Sequence, residues 1–204
     1  MDERLDRNSL RHQFVEPPKK RSTLGYLHIG KTARGGMAVV RNWQEVEEIL
    51  PQPGYNSLVV THSTFPASRF IDVLLNRGTC DRLMITTYNI APEAVEKICR
   101  GIDSGAIVTA TVLVNGALRR LKSGETVVDR LEEMAARFPG RVSVYERNVH
   151  AKLICMAMAN RQDFWVVEGS GNMADNAFVE LYSVFNSAER FQFHAEWIGA
   201  LLQR

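Results

Sequence analysis

Cysteine is scarce in this chain, and the three cysteines present are far apart. Cys80, Cys99 and Cys155 form no C-x-x-C pair, and each lies in apolar surroundings. This pattern argues against a zinc ribbon and against a disulfide framework. It predicts reduced core thiols in an intracellular protein.

Long apolar segments are also absent. No apolar run approaches the ~18–20 residues that a membrane-spanning helix needs. The N-terminal stretch MDERLDRNSLRHQF is charged throughout and lacks the apolar core of a secretory signal. We therefore expect a cytoplasmic protein without a membrane span.

Positive charge is unevenly distributed, although the net charge is only +2. Residues 1–36 carry eight Lys/Arg against four Asp/Glu, whereas the remaining 168 residues carry 17 and 19. We predict a basic, partly flexible N-terminal arm over 1–36 and a folded domain over 37–204. The cluster Lys19-Lys20-Arg21 makes the arm either a polyanion-binding segment or a merely solvated extension, two alternatives of equal weight.

Strand and helix patterns alternate from about residue 40. Short strands are predicted at 56–63, 81–88 and 106–114, each followed by a helical pattern. Four closely spaced strands follow between 141 and 185, before a terminal helix. This order predicts one α/β domain with a mixed central β-sheet flanked by helices on both faces.

Capping signals mark three of the predicted helix starts. Asn42 with Glu45, and Asn186 with Glu189, have the spacing of capping-box pairs. Ser68 is the expected N-cap of a helix that precedes the second strand.

Two polar residues stand at the start of the apolar segment NVHAKLICMAM (148–158). The segment predicts a buried strand, and alternation along it places the side chains of His150 and Lys152 on one face. A lysine beside an apolar core is costly unless it meets an anion. The pair therefore indicates an anion-binding site at a strand end.

Further polar residues follow on the next two predicted strands. The run EGSGN (168–172) supplies small residues, a hydroxyl and an amide, and Glu180 interrupts the apolar strand AFVELYSVF (177–185). Because these strands are consecutive, we expect the groups to meet at adjacent strand ends, with Glu180 accepting from a histidine N–H. The alternative is an α/β domain with a few unrelated polar residues at its strand ends.

Together these residues resemble the phospholipase D superfamily. Its signature, H-x-K-x(4)-D followed by G-S-x-N, corresponds here to HAK (150–152) and GSGN (169–172). The runs HAKL and SGNM and the later Glu180 are most similar to the one-motif, metal-independent nuclease branch, including the catalytic half of a phospholipase D-type restriction endonuclease. One departure is Ala157, which stands where the motif Asp would fall.

The resemblance implies that residues 37–204 form a catalytic domain with a phospholipase D-like fold, and that its phosphodiesterase activity needs neither a metal ion nor a cofactor. It implies that His150 attacks phosphorus and forms a phosphohistidine, while Lys152 and Asn172 bind the phosphate oxygens. Ser170 would support this network, and Glu180 would orient the imidazole. The family joins two H-x-K motifs at one site, so a single copy implies a homodimer in which His150 of the partner subunit is the leaving-group acid.

The sequence favours a nuclease, with DNA as the expected substrate, because the chain is small, has one motif copy and shows no membrane-binding amphipathic stretch. The enzymatic alternative is a phospholipid hydrolase or phosphatidyl transferase. The non-enzymatic alternative is a nucleic-acid-binding or assembly protein whose fold has lost activity, for which Ala157 is the main argument. No separate recognition domain is visible, which predicts either non-specific cleavage or targeting by a protein partner.

Overall fold

The computed structural model describes residues 30–32, 35–40, 42, 44–62, 65–120, 124–174 and 178–203. Within these residues the chain forms nine strands and five α-helices. The strands are β1 Gly30–Thr32, β2 Gly35–Val40, β3 Asn56–His62, β4 Cys80–Thr87, β5 Ile107–Asn115, β6 Val142–Arg147, β7 Leu153–Met158, β8 Phe164–Gly169 and β9 Val179–Asn186. The helices are α1 Gln44–Glu48, α2 Arg69–Leu75, α3 Pro92–Asp103, α4 Gly124–Arg137 and α5 Ala188–Leu202.

The strands form one mixed sheet in the order β1-β2-β3-β9-β8-β7-β4-β5-β6. The four central pairings, β3 with β9, β9 with β8, β8 with β7 and β7 with β4, are antiparallel. Parallel pairs lie outside them, between β2 and β3, β4 and β5, and β5 and β6. The predicted mixed sheet is confirmed, and its centre is the hairpin meander β7-β8-β9.

Helices cover both faces of the sheet, as the alternation of apolar residues predicts. In the larger core cluster, helices α1, α2, α3 and α4 pack on one face of the sheet. Phe70, Ile98 and Leu131 are fully buried there. Phe191 and Ile198 of α5 pack on the opposite face against β4, β5, β7 and β8. Within the described ranges, no helix is both long enough and apolar enough to cross a bilayer.

The predicted N-cap of α1 is confirmed. Ser68 stands at the N-cap position of α2 as predicted, but its side chain does not form the capping hydrogen bond. The Asn42 side-chain oxygen accepts from the Glu45 amide at 3.1 Å, and its amide donates to the Glu45 carboxylate at 2.9 Å. Ser68 has helical backbone angles and makes no side-chain capping hydrogen bond. Since its backbone is already helical, its hydroxyl does not face the first amides of α2 in the way that an extended cap residue would.

The predicted cap of the terminal helix is displaced by one residue. Ser187, not Asn186, accepts from the Arg190 amide, at 3.2 Å. Asn186 instead fixes the start of β8: its side-chain oxygen accepts from the Phe164 amide at 3.0 Å, and its amide donates to Asp163 at 2.6 Å. Tertiary contacts therefore decide between two adjacent residues that are both able to cap.

The sheet extends further toward the N-terminus than the predicted domain boundary. Residues 30–32 and 35–36, which the sequence assigned to the basic arm, pair within β1 and β2. Residues 1–29, including the basic cluster, lie outside the described residues, so the arm stays a prediction.

The three cysteines are free thiols. Cys80 and Cys155 are fully buried in strands β4 and β7. Burial raises the pKa of the Cys80 thiol to about 12 and also raises the pKa of the Cys155 thiol. Both therefore act as small apolar core residues rather than as nucleophiles.

A charged cluster fixes α5 to β8. Glu168 accepts from His194 Nε2 at 2.8 Å and from Arg190 Nε at 2.7 Å. Trp197 Nε1 donates to His194 Nδ1 at 2.8 Å, so the ring proton of His194 lies on Nε2, facing the carboxylate. The hydrogen bonds from His194 and Arg190 outweigh the effect of burial and hold the pKa of Glu168 below its ordinary value.

We expect Glu168→Gln to lower the free energy of unfolding at pH 7 by about 2 kcal/mol, because two charge-assisted hydrogen bonds are weakened. A carboxyl with a lowered folded-state pKa stabilises the fold above its unfolded pKa of ~4.3, and this contribution is lost as pH falls through the folded value. The difference between variant and wild type should therefore shrink below about pH 4. Urea unfolding across a pH series measures this, with exposed Glu133→Gln on α4 as the control. A constant difference at all pH values would contradict the assigned role.

Candidate active site

The candidate residues lie at one edge of the β7-β8-β9 meander. Antiparallel pairing sets Leu153 of β7 opposite Glu168 of β8, and Gly169 of β8 opposite Tyr182 of β9. The residues just before β7, just after β8 and at the start of β9 therefore meet at the same strand ends, as the sequence predicts.

His150 and Lys152 precede β7 rather than lying within it. The strand begins at Leu153, because the pairing of β7 with β4 ends where Leu153 faces Thr86. The predicted strand is therefore too long at its N-terminal end by five residues, 148–152, and the pair occupies the connection that leads into the strand.

Two polar side chains from distant strands hold this connection in place. Asn115, the last residue of β5, donates its amide to the Val149 carbonyl at 2.7 Å. Thr86 of β4 donates its hydroxyl to the Ala151 carbonyl at 3.0 Å. Neither hydrogen bond was predicted, because Asn115 and Thr86 are remote in sequence from the residues that they contact.

Lys152 contacts the imidazole of His150 directly. Its Nζ lies 2.9 Å from Nδ1 and 3.4 Å from Nε2. A lysine ammonium only donates, so any hydrogen bond between the two goes to an unprotonated ring nitrogen, and Nδ1 is the nearer of the two. His150 is exposed and Lys152 is half-buried, so a ligand can reach both groups from the edge of the sheet.

The hydroxyl of Ser170 holds the carboxylate of Glu180. Ser170 Oγ donates to Glu180 Oε2 and accepts from the Leu181 amide at 3.0 Å. The backbone amide of Ser170 also donates to the Leu181 carbonyl, at 3.0 Å. Glu180 is 8% exposed, and a buried carboxylate needs such partners.

The predicted contact between Glu180 and the imidazole is not among the hydrogen bonds of the described residues. Ser170 follows β8 directly and lies opposite the start of β9, which places its hydroxyl nearest to the carboxylate. The role of Glu180 toward His150 therefore stays a proposal.

Asn172 lies on the turn that follows Ser170. Its backbone carbonyl accepts from the Ala67 amide at 3.3 Å. Its side-chain oxygen is buried and has no hydrogen-bond partner in the part of the chain that the structure describes. Buried polar groups are normally paired, so the side-chain oxygen of Asn172 is suited to a hydrogen-bond donor at this turn.

The two glycines of GSGN are required by the ring of Tyr182. A Cβ on Gly169 would lie 2.9 Å from Tyr182 Cε1, and a Cβ on Gly171 would lie 2.8 Å from Tyr182 Cζ. These two small residues of the predicted site therefore make room for a side chain of the core. Tyr182 is 2% exposed, and burial, with the Glu180 charge, raises the pKa of its phenol.

Lys152 and the glycine turn share a small pocket. Its wall also includes Thr86 and Tyr182. Lys152 of the H-x-K motif therefore lies beside Gly169 and Gly171 of the G-S-x-N motif.

Ala157, at the position of the motif Asp, lies far from these groups. It is five residues beyond Lys152 along an extended segment, about 16 Å at 3.3 Å per residue. It packs with the residues beneath α5, on the opposite face of the sheet. The absence of the motif Asp therefore removes no group from the edge where His150 and Lys152 meet.

Metal-ligating side chains do not gather at this edge. No group of three or more His, Cys, Asp or Glu with metal-binding proximity occurs among the described residues.

No family model matches the chain, and no curated protein matches its sequence. Solved structures match its fold. Nuc from Salmonella typhimurium, a phospholipase D family member, superimposes with a TM-score of 0.53 over 72% of this chain and 95% of its own, at 14% identity. The protein has the phospholipase D fold.

The same fold similarity extends to a second protein. Phosphatidylserine synthase from Haemophilus influenzae Rd KW20 gives a TM-score of 0.53 at 12% identity, over 76% of this chain but only 40% of its own. NucT from Helicobacter pylori gives a TM-score of 0.48 at 15% identity. The phospholipase D-like fold predicted from the sequence is confirmed by Nuc and the synthase.

Proposed function

We propose that this protein is a metal-independent phosphodiesterase that cleaves nucleic acid, with DNA as the expected substrate. The observation that carries the proposal is the 2.9 Å contact between Lys152 and His150 at the strand ends that also hold the Ser170–Glu180 pair. A nucleophile, a cation and a carboxylate at one edge are the groups that phosphodiester cleavage requires. The phospholipase D fold, shared over nearly the whole of Nuc, supports this assignment.

In the first step, His150 Nε2 attacks phosphorus and the bond from phosphorus to the leaving oxygen breaks, which forms a phosphohistidine. Attack through Nε2 needs the ring proton on Nδ1, so Lys152 must leave the imidazole and bind a phosphate oxygen. The Asn172 amide binds another phosphate oxygen. Glu180, fixed by Ser170, holds the proton on Nδ1 and stabilises the cation that forms.

As the bond to the leaving oxygen breaks, this oxygen takes a proton from His150 of the partner subunit. In the second step, water attacks phosphorus and gives a proton to that imidazole as the P–N bond breaks. This scheme makes the protein a homodimer with one composite site at an isologous interface. It is supported by exposed apolar side chains beside Glu180: Phe178, Val179 and Leu181 are 73%, 57% and 49% exposed.

Positive charge at the scissile phosphate would come from the protein itself. Lys152 and the imidazolium of His150 neutralise the non-bridging oxygens, so the proposed reaction requires neither a metal ion nor a cofactor. Ala157 does not weaken this scheme, because its side chain lies on the opposite face of the sheet.

A phosphatidyl transferase or phospholipid hydrolase is the second candidate. It is favoured by the equal TM-score of phosphatidylserine synthase and by the apolar side chains that surround Glu180. A protein that binds nucleic acid or a partner protein without cleaving is the third candidate, and it would retain the fold while the site is inactive.

The test is an assay in excess EDTA with plasmid, single-stranded DNA, RNA and phosphatidylcholine vesicles as separate substrates. We expect DNA cleavage by the wild type and a loss of about 10²- to 10³-fold in Lys152→Ala, because one charge on the transition state is removed. The matched control is Arg77→Ala, which removes an exposed cation between α2 and β4, at the end of β4 remote from Thr86.

Each alternative gives a different result. Cleavage that needs added magnesium would contradict the metal-independent scheme, and headgroup release from vesicles without DNA cleavage would select the lipid enzyme. DNA binding without cleavage, unchanged in Lys152→Ala, would select the inactive protein. A monomer in sedimentation equilibrium at assay concentration would refute the composite site.

A further inference from the structure

Tyr88 stands directly against the imidazole of His150, although no sequence pattern marks it. The two ring centroids are 5.1 Å apart with an interplanar angle of 53°. This separation lies within the ~4.5–7 Å range of aromatic pairs, and the tilt is intermediate between stacking and edge-to-face packing. Tyr88 is half-buried, whereas His150 is exposed.

The position of Tyr88 is fixed by the residues that follow it. It comes directly after β4, and Thr87 Oγ donates to the Asn89 carbonyl at 2.6 Å. The Met173 amide also donates to the Asn89 carbonyl, at 3.1 Å, and the Ala91 amide donates to the Met173 carbonyl, at 3.1 Å. The segment that carries Tyr88 is therefore tied to the GSGN turn.

His150, in contrast, has few restraints of its own. It lies outside β7, and among the described residues its side chain contacts Lys152 and Tyr88. In the proposed reaction Lys152 transfers to the phosphate. The ring must then keep its orientation through other contacts while it attacks phosphorus.

We infer that Tyr88 is a positioning residue, whose ring holds the imidazole of His150 in the orientation needed for in-line attack. This inference rests on the proposed function, since it assigns Tyr88 a part in the same site. Misplacement of a reacting group by ~1 Å can lower a rate by about 10²-fold, so the packing of one ring is sufficient to control turnover.

The experiment compares Tyr88→Phe and Tyr88→Leu on two substrates, a single-stranded oligonucleotide and bis(p-nitrophenyl) phosphate, which has no nucleobase. For Tyr88→Leu we expect kcat to fall by about 10- to 100-fold on both substrates with KM changed less than about 3-fold. Tyr88→Phe keeps the ring, and its kcat should stay within about 3-fold of the wild type. Tyr55→Leu, an exposed tyrosine before β3, is the control.

Two kinetic outcomes would overturn the inference. An unchanged kcat in Tyr88→Leu would show that the ring does not position the nucleophile. A rise in KM for the oligonucleotide alone would show that Tyr88 binds the nucleic acid instead.

Nuclear magnetic resonance tests the inference without relying on activity. If the wild type cleaves neither substrate, the proposed function is refuted, but the contact between Tyr88 and His150 can still be measured. In the wild type we expect nuclear Overhauser contacts between the ring protons of Tyr88 and His150. Tyr88→Leu should move the His150 ring proton resonances downfield, while Tyr55→Leu leaves them in place. The absence of these contacts in the wild type would overturn the inference without any variant.

Discussion

Replacing His150 with alanine is expected to lower the rate of phosphodiester cleavage by about 10⁴-fold or more. The variant lacks the nucleophile, and in the proposed homodimer it also lacks the leaving-group acid, so both steps of the reaction are lost. A factor of 10⁴ corresponds to about 5.5 kcal/mol of activation free energy. Single-turnover cleavage of end-labelled DNA in EDTA measures the effect.

The fold should be unaffected by this change, because the His150 side chain is exposed and lies outside β7. We expect the melting temperature to stay within about 2 °C of the wild type. Asn148→Ala, which alters an exposed residue on the same connection, should retain activity. Cleavage by His150→Ala at more than about a hundredth of the wild-type rate would show that another group attacks phosphorus.

Gly171→Ala is expected to cause the largest loss of stability at the site. The added Cβ would lie 2.8 Å from Tyr182 Cζ and 3.3 Å from Glu180 Cγ. Overpacking of a buried site costs about 3 kcal/mol. The displaced turn carries Ser170 and Asn172, so we also expect a loss of activity of about 10²-fold. Urea unfolding and the cleavage assay measure the two effects.

A double-mutant cycle with Tyr182→Phe identifies the cause. The Tyr182 hydroxyl is buried without a hydrogen-bond partner among the described residues, so its removal alone should change stability by less than about 1 kcal/mol. In combination with Gly171→Ala it should recover part of the loss, since the hydroxyl is the atom nearest to the new Cβ. Gly199→Ala on α5, where a Cβ meets no atom within 4 Å, should be neutral or stabilising. Strict additivity in the cycle would show that the Tyr182 hydroxyl is not the group that requires the glycine.

Local patterns in the sequence were sufficient to predict the architecture. Apolar alternation and helix-end signals predicted the strands from β3 to β9 and the five helices, because each element carries its own periodicity. The choice between adjacent caps was not predictable, since Asn186 and Ser187 both have the chemistry and only the contact of Asn186 with β8 separates them.

The candidate site was predictable where its residues follow one another along the chain. His150, Lys152, Ser170 and Glu180 come from consecutive elements, so their convergence follows from hairpin pairing. The supports were not predictable, because Thr86 reaches the site across 65 residues and Asn115 across 34. Such contacts leave no periodic signal in a single sequence.

The meander β7-β8-β9 has a consequence for the order of folding. All five candidate residues lie within 150–180, so neighbouring hairpins bring them together through short loops, which close quickly. Strands β3 and β4, which flank the meander, and the braces at Thr86 and Asn115 must arrive from much earlier in the chain. We expect amide protection in hydrogen-exchange pulse labelling to develop in the meander first. Competence for catalysis should then lag behind compaction of the chain.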